Sequence, residues 1–282
     1  MTYREAMIMG AQILEEQGIA DARTDAWLLL AMACKIDRNF YYLHMNEDII
    51  EEQQQEYASV LKKRAEHIPL QYITGEQEFM GHRFLVNSNV LIPRQDTEIL
   101  VEEALKVVRP GMDVLDMCTG SGCIIISILK NVSKVNAVAA DISKQALNVA
   151  KENAKLNDVT VRFETSDLFE HIRGEFDVIV SNPPYIRTEE ITKLMPEVRD
   201  FEPFGALDGK EDGLYFYRKI VDEGQKYLKP GGYLMFEIGC DQGEDVSALM
   251  QQAGYSEIKV VKDLAGLDRV VIGKGKEACL TD

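Results

Sequence analysis

Between Asp113 and Ile238 the chain alternates apolar strands with amphipathic helices, and this rhythm restricts its fold more than any other feature. The segments DVLDM (113–117), VNAVAAD (135–141), VTVRFET (159–165), FDVIVS (176–181) and GYLMFEI (232–238) read as strands. Helical segments such as SKQALNVAKENAKLN and GLYFYRKIVDEGQKYL lie between them. Continuous apolar strands joined by amphipathic helices form a parallel sheet covered on both faces. The final apolar runs differ. EIKVVKDL (257–264) and LDRVVIG (267–273) are separated only by Ala265 and Gly266, too short a link for a crossover helix, so they must pair antiparallel. The expected fold is α/β, a doubly wound sheet finished by an antiparallel hairpin. That ending is unlike a typical dinucleotide fold.

The N-terminal stretch has another rhythm. YREAMIMGAQILEEQGI, DAWLLLAMACKI and NEDIIEEQQQEYASVLKKRAEH read as three helices. The third has acids early and bases late, as the helix dipole favours, and Pro69 ends it. Residues 79–92, FMGHRFLVNSNVLI, change to period two around Asn87-Ser88-Asn89 and predict a β-hairpin. The chain thus divides into a small helical domain at 1–78, a hairpin linker at 79–94 and the sheet domain at 95–282.

Composition removes several function classes. No apolar run approaches the roughly 18 residues of a membrane span, and acidic Glu5 without an apolar run after it argues against a secretory leader. Cys34, Cys118, Cys123, Cys240 and Cys279 form no C-x-x-C pair, which fits a reducing, cytoplasmic setting. His44, His67, His82 and His171 lie far apart, and no zinc spacing is present. The formal charge of −16 disfavours loose binding to a phosphate backbone. Residues 1–78 carry 14 acids against 7 bases, so the helical module offers no basic platform.

DMCTGSGCIII (116–126) follows the first strand and opens a helix. Gly120 and Gly122 allow backbone amides close to a ligand at a helix N-terminus. The same glycines also suit a plain tight turn. Ile125 replaces the third glycine of a dinucleotide fingerprint, which disfavours a nicotinamide cofactor. Asp141 ends the second strand, where a carboxylate suits either a ribose diol or the cap of the next helix, a role Ser143 also fits. Asp167 ends the third strand in the same manner. Polar residues at neighbouring strand ends describe a pocket for a nucleoside-like cofactor.

The fourth strand ends in Asn182-Pro183-Pro184-Tyr185. The prolines hold the backbone extended, which fixes the direction of the Pro183 carbonyl. The Asn182 side-chain oxygen is a second acceptor nearby. Two fixed acceptors suit the two N–H bonds of a planar –NH₂ group, and the Tyr185 ring suits its flat face. An isolated Asn-Pro is more often a structural turn. Its position after the glycine loop, at the same sheet edge, favours the clamp.

DMCTGSG, Asp141 and NPPY in this order resemble the amino-methyltransferases that use S-adenosylmethionine. PLQYITGEQEF (69–79), VLIPRQDTEIL (90–100), LMPEVRDFEPFGAL (194–207) and DGLYFYRKI (212–220), with the helical N-terminal module, narrow the resemblance to the bacterial release factor glutamine methyltransferases, the PrmC/HemK family. The resemblance spans nearly the whole chain. It implies a Rossmann-like class I methyltransferase sheet and S-adenosyl-L-methionine as cofactor. Cys118, Thr119, Gly120, Ser121 and Gly122 would wrap its methionine part, Asp141 would hold the ribose, and Asp167 and Leu168 would border the adenine, with Asn182 also beside the cofactor. Asn182, Pro183, Pro184 and Tyr185 would hold the substrate amide, with Asn182, Pro183 and Tyr185 acting in catalysis and no metal involved. The implied acceptor is the glutamine of the Gly-Gly-Gln motif in class I peptide chain release factors. The sequence departs from the family pattern at Cys118, where glycine is frequent, and at Gln95, where proline is.

The nearest rival is an amino-methyltransferase acting on an exocyclic base amine of RNA or DNA, because that group is also a planar –NH₂. The acidic charge and the absence of a basic module weigh against it. A non-enzymatic nucleotide sensor is a further reading, but a sensor has no use for an amide clamp.

Overall fold

The computed structural model describes residues 1–277, so Cys279 lies outside the described residues. The chain forms two compact units: Met1–Gly75 with Met195–Phe201, and Glu76–Leu194 with Glu202 onward.

The first unit is helical. Its helices are α1 (Tyr3–Glu16), α2 (Ala22–Cys34), α3 (Arg38–His44), α4 (Glu51–Ala65) and α5 (Leu70–Thr74). Thr2 and Glu5 form a reciprocal capping box that starts α1. Leu14, Leu29, Leu30, Tyr57 and Leu61 fill the core, and the Tyr57 hydroxyl donates to the Ala6 carbonyl at 3.3 Å. The expected third helix is α4, and the short α3 before it is an additional element, capped by Asp37, which accepts from the Phe40 amide at 2.7 Å. A distant segment returns to this unit. Arg64 on α4 binds Asp25 at 2.7 Å and Glu197 at 3.0 Å, and this buried pairing holds the residues around Glu197 to the helices.

The second unit opens with the hairpin β1 (Glu76–Phe79) and β2 (His82–Leu85). Its turn is Met80-Gly81, with φ of 50° and 72°, and not the expected Asn87-Ser88-Asn89. Positive φ at both central residues is what a two-residue hairpin with native twist requires. Asn87 makes a separate local turn, accepting from the Asn89 amide at 2.9 Å. The hairpin falls within the second unit. Asn153 accepts from the Leu85 amide at 2.6 Å and donates to its carbonyl at 3.0 Å, fixing the hairpin to the helix that carries Asn153.

After α6 (Gln95–Val107) the strands are β3 (Asp113–Met117), β4 (Asn136–Asp141), β5 (Arg162–Thr165), β6 (Phe176–Ser181), β7 (Leu228–Glu237), β8 (Ser256–Lys262) and β9 (Asp268–Lys274). The helices among them are α7 (Cys123–Asn131), α8 (Lys144–Leu156), α9 (Thr188–Ile191), α10 (Pro196–Phe201), α11 (Phe204–Leu207), α12 (Tyr215–Gly224) and α13 (Gly243–Gln252), of which α10 belongs to the first unit. The sheet order is β5-β4-β3-β6-β7-β9-β8. The strands from β5 to β7 are parallel, and β9 runs antiparallel to both β7 and β8, as the short Ala265-Gly266 link demands. Val114, Val178 and Val180 pack on one face with Leu100 and Ile125. Leu115, Ile179 and Phe236 pack on the other with Ile220 and Met250. Alternate residues of one strand therefore feed two separate cores, which explains why these strands are apolar throughout. The chain leaves β3 toward β5, then returns to the opposite side of β3 as β6. Between β3 and β6 lies the switch point where ligands bind in such sheets.

Candidate active site

The ends of five adjacent parallel strands bring Asp167, Asp141, the Cys118–Gly122 loop, Asn182 and Glu237 to one edge of the sheet. A cavity of about 350 Å³ opens there, lined by Cys118, Thr119, Gly120, Ser121, Asp141, Asp167, Leu168, Asn182 and Pro184 among others. Gly122, Pro183 and Tyr185 do not line it.

The loop after β3 is built from strained and paired residues. Cys118 has φ of 62° and Gly120 of 56°. Cys118 thus takes, with a Cβ, the left-handed backbone that glycine adopts most readily. Burial, then the charge of Asp141, pushes its thiol pKa up, so the thiol stays protonated. A Cβ on Gly120 would meet no protein atom within 4 Å, so the space beside it is open. Gly122 is different. A Cβ there would lie 3.0 Å from Ile126 Cδ1 and 3.2 Å from Ala150 Cβ, so this glycine serves the close packing of α7 on α8. Behind the loop, Asp116 is fully buried and accepts from the Thr119 hydroxyl at 2.6 Å.

Asp141 does not cap α8. Ser143 does, accepting from the Ala146 amide at 3.1 Å. Asp141 instead accepts from the Gly120 amide at 2.9 Å through Oδ2 and from the Ser143 amide at 2.9 Å through Oδ1. Burial raises its pKa while these amides oppose the rise. Each oxygen keeps a lone pair for a hydroxyl donor. Asp167 is exposed, and the buried Leu168 has φ of 47°. Ser166 fixes this turn by donating to the Leu168 carbonyl at 2.6 Å and accepting from the His171 amide at 2.9 Å.

At the end of β6 the Asn182 side-chain nitrogen is 3.4 Å from the Thr97 hydroxyl. Pro183 and Pro184 are buried. The Tyr185 carbonyl accepts from Gln242 Nε2 at 3.0 Å, and its hydroxyl lies 3.4 Å from Glu237 Oε1. Burial, then the charge of Glu237, pushes the Tyr185 phenol up, so it remains a donor. Burial raises Glu237 to about 7, with the Thr97 hydroxyl and the Arg269 guanidinium pulling the other way.

Several lining residues escaped the sequence reading: Thr97, Arg94, Asp208, Lys210 and Phe216. Arg94 pairs with Glu202, and Lys210 pairs with Asp208 at 2.8 Å. These arrive from α6, α12 and loops that do not directly follow the parallel strands in sequence, so spacing from the strand ends gave no signal. Glu237 is another matter: an acid closing an apolar strand is the same signal that marked Asp141.

Among the described residues no cluster of histidine, cysteine and carboxylate side chains is placed to hold a metal ion, and no helix is long and apolar enough to cross a membrane.

Residues 5–75 match the family described as PrmC N-terminal domain, and residues 94–197 match the methyltransferase small domain family. A release factor glutamine methyltransferase of Clostridium acetobutylicum is 43% identical over 279 residues, covering 96% of this chain and 98% of the relative. One from Geobacter sulfurreducens is 40% identical, covering 97% of this chain and 96% of the relative. The solved structure of a methyltransferase from Pyrococcus furiosus shares the sheet fold, with a TM-score of 0.52 at 18% identity over 68% of this chain and 88% of that one. With relatives this similar over nearly its full length, the chain belongs to the release factor glutamine methyltransferase family.

Proposed function

We propose that the protein transfers a methyl group from S-adenosyl-L-methionine to the side-chain amide nitrogen of the glutamine in the Gly-Gly-Gln motif of class I peptide chain release factors, in the cytoplasm. The observation that carries this reading is the position of Asn182 and Pro184 on the wall of the same cavity as Gly120 and Asp141. A carboxamide acceptor and a nucleoside-bearing donor would meet there.

The cofactor fits the residues present. The open space beside Gly120 accommodates a ligand against the backbone, and the Asp141 carboxylate has lone pairs left for a ribose diol. The volume of about 350 Å³ lies in the roughly 300–1,000 Å³ range of small-molecule sites. Cys118–Ser121 would hold the methionine part, and Asp167 and Leu168 would border the adenine. When bound, S-adenosylmethionine supplies an electrophilic sulfonium methyl.

The chain's own task is to make a poor nucleophile competent. An amide nitrogen has a delocalised lone pair. Asn182 Oδ1 and the Pro183 carbonyl would accept its two N–H bonds, localise that pair and aim it along one line. The gain is chiefly one of positioning. The proton released afterwards is strongly acidic and passes to water.

The helical unit is assigned to recognition of the release factor, and a charge of −16 disfavours direct nucleic-acid binding. The test is transfer of labelled methyl to purified release factor, with tRNA and ribosomal RNA as parallel acceptors. Label is expected on one glutamine peptide, and replacing that glutamine by alanine should abolish it. Label in RNA would install the base-amine reading instead.

A further inference from the structure

Glu237 ends β7 beside the Asn182–Tyr185 corner and is 2% exposed. Among the described residues its Oε2 has no hydrogen-bond partner. A buried carboxylate with an unpaired oxygen works against stability, and an apolar side chain of similar size usually serves a core better. The preceding residues, Met235 and Phe236, are such apolar core members. Arg269, on the neighbouring strand, does not offset the charge by contact. Its guanidinium is paired with Asp96 and Asp263, each at 3.1 Å. An acid that the core does not need calls for another explanation.

Two hydroxyls, those of Thr97 and Tyr185, act on its carboxylate, and the second supplies it. Oε1 faces the Tyr185 hydroxyl at 3.4 Å. That distance is long for an O–H···O contact, and such contacts often tighten once a ligand fills the site. Gln242 fixes the same tyrosine from the other end, donating to its carbonyl at 3.0 Å while accepting from the Gly239 amide at 2.9 Å. With backbone and ring tip both held, the plane of the phenol is set. We propose that Glu237 is a positioning residue for methyl transfer: through the Tyr185 hydroxyl it holds the ring beside the acceptor-amide site, and it affects turnover chiefly by way of Tyr185. The inference rests on the amide-site reading of Asn182–Tyr185.

The test is a double-mutant cycle on the full-length enzyme with release factor as acceptor, using Glu237→Leu, Tyr185→Phe and the pair. Glu237→Leu should lower kcat by about tenfold to a hundredfold, the scale of one hydrogen bond to a charged group. It should leave the KM for S-adenosylmethionine unchanged and should not lower Tm, because it removes a buried charge. Tyr185→Phe should lower kcat by a similar factor, and the pair should be no slower than either single variant. Losses that multiply in the pair would overturn the inference, as would a fall in Tm that tracks the fall in kcat. If Glu237→Leu does not fold, Glu237→Gln keeps the size and one acceptor, and must show the same non-additivity with a smaller loss. Asn182→Ala separates the two readings. Unchanged turnover there removes the amide site itself, whereas a large loss beside a multiplying cycle removes only the role of Glu237.

Discussion

The side-chain nitrogen of Asn182 meets the Thr97 hydroxyl at 3.4 Å, tying the end of β6 to the first turn of α6. The two heavy atoms of a carboxamide diverge from one carbon. Engaging the nitrogen on Thr97 therefore turns the oxygen away from it. Thr97 is 3% exposed and sits beside Asn182 on the cavity wall, so the contact is shielded from bulk water.

Asn182→Ala should then cut turnover by about two orders of magnitude, the scale of one well-placed transition-state hydrogen bond. Binding of S-adenosylhomocysteine should weaken only modestly. Asn182→Asp keeps an acceptor and adds charge, so partial activity is expected. Steady-state kinetics with calorimetry on the same preparations checks this. Turnover of Asn182→Ala near that of the wild type would remove the acceptor role.

Gly120 gives a test on the cofactor side. Its φ of 56° and the open space beside it mean that a side chain there would stand in the cavity. Gly120→Val should abolish S-adenosylhomocysteine binding. A β-branched residue at positive φ also strains the loop, by roughly 1–2 kcal/mol, so circular dichroism must first show that the fold survives. Unchanged binding by a folded variant would mean that the loop does not hold the cofactor.

The sheet was legible because its central strands feed two cores and are apolar on both faces, while the link between β8 and β9 is too short for a helix. The placing of Asp141, Asp167 and Asn182 on one cavity was legible because each stands at or just after the end of a parallel strand. Helices α3 and α5, of 7 and 5 residues, were missed because so few positions carry no helical period. The hairpin turn was misplaced because Asn87-Ser88-Asn89 is a stronger turn signal in sequence than Met80-Gly81. Only pairing across the hairpin, with Glu76 opposite Leu85, decides between them. The return of Glu197 to Arg64 spans 133 residues and leaves no trace in local pattern.

On the helical unit, Tyr42 and Leu43 of α3 are 62% and 79% exposed. Large apolar side chains this open on one short helix suit a protein partner. Leu43→Asp should lower kcat/KM on intact release factor by about tenfold, as for one interface contact worth somewhat over 1 kcal/mol. Methylation of a short peptide carrying the same glutamine should not change. An equal loss on both acceptors would point away from recognition, and no loss on either would place the partner elsewhere.

Asp116 supplies a test by pH. It is fully buried, its Oδ1 has no hydrogen-bond partner among the described residues, and burial raises its pKa from 3.8 to about 7 against the pull of the Thr119 hydroxyl and the Ile125 amide. The unfolded chain releases this proton near 3.8 and the folded chain near 7. Between those values the folded state binds the proton more tightly. The stabilisation is therefore complete at low pH, declines as pH rises through this interval, and is gone above it. Each pH unit of difference in proton affinity is worth about 1.4 kcal/mol, which sets a scale of a few kcal/mol. Asp116→Asn keeps an acceptor for Thr119 and cannot titrate. Its Tm relative to the wild type should climb between about pH 4 and pH 7 and then level off. Glu237 also has a raised pKa but is present in both proteins, so the difference isolates Asp116. A Tm difference that stays flat across that range would show that Asp116 does not hold its proton as its burial requires.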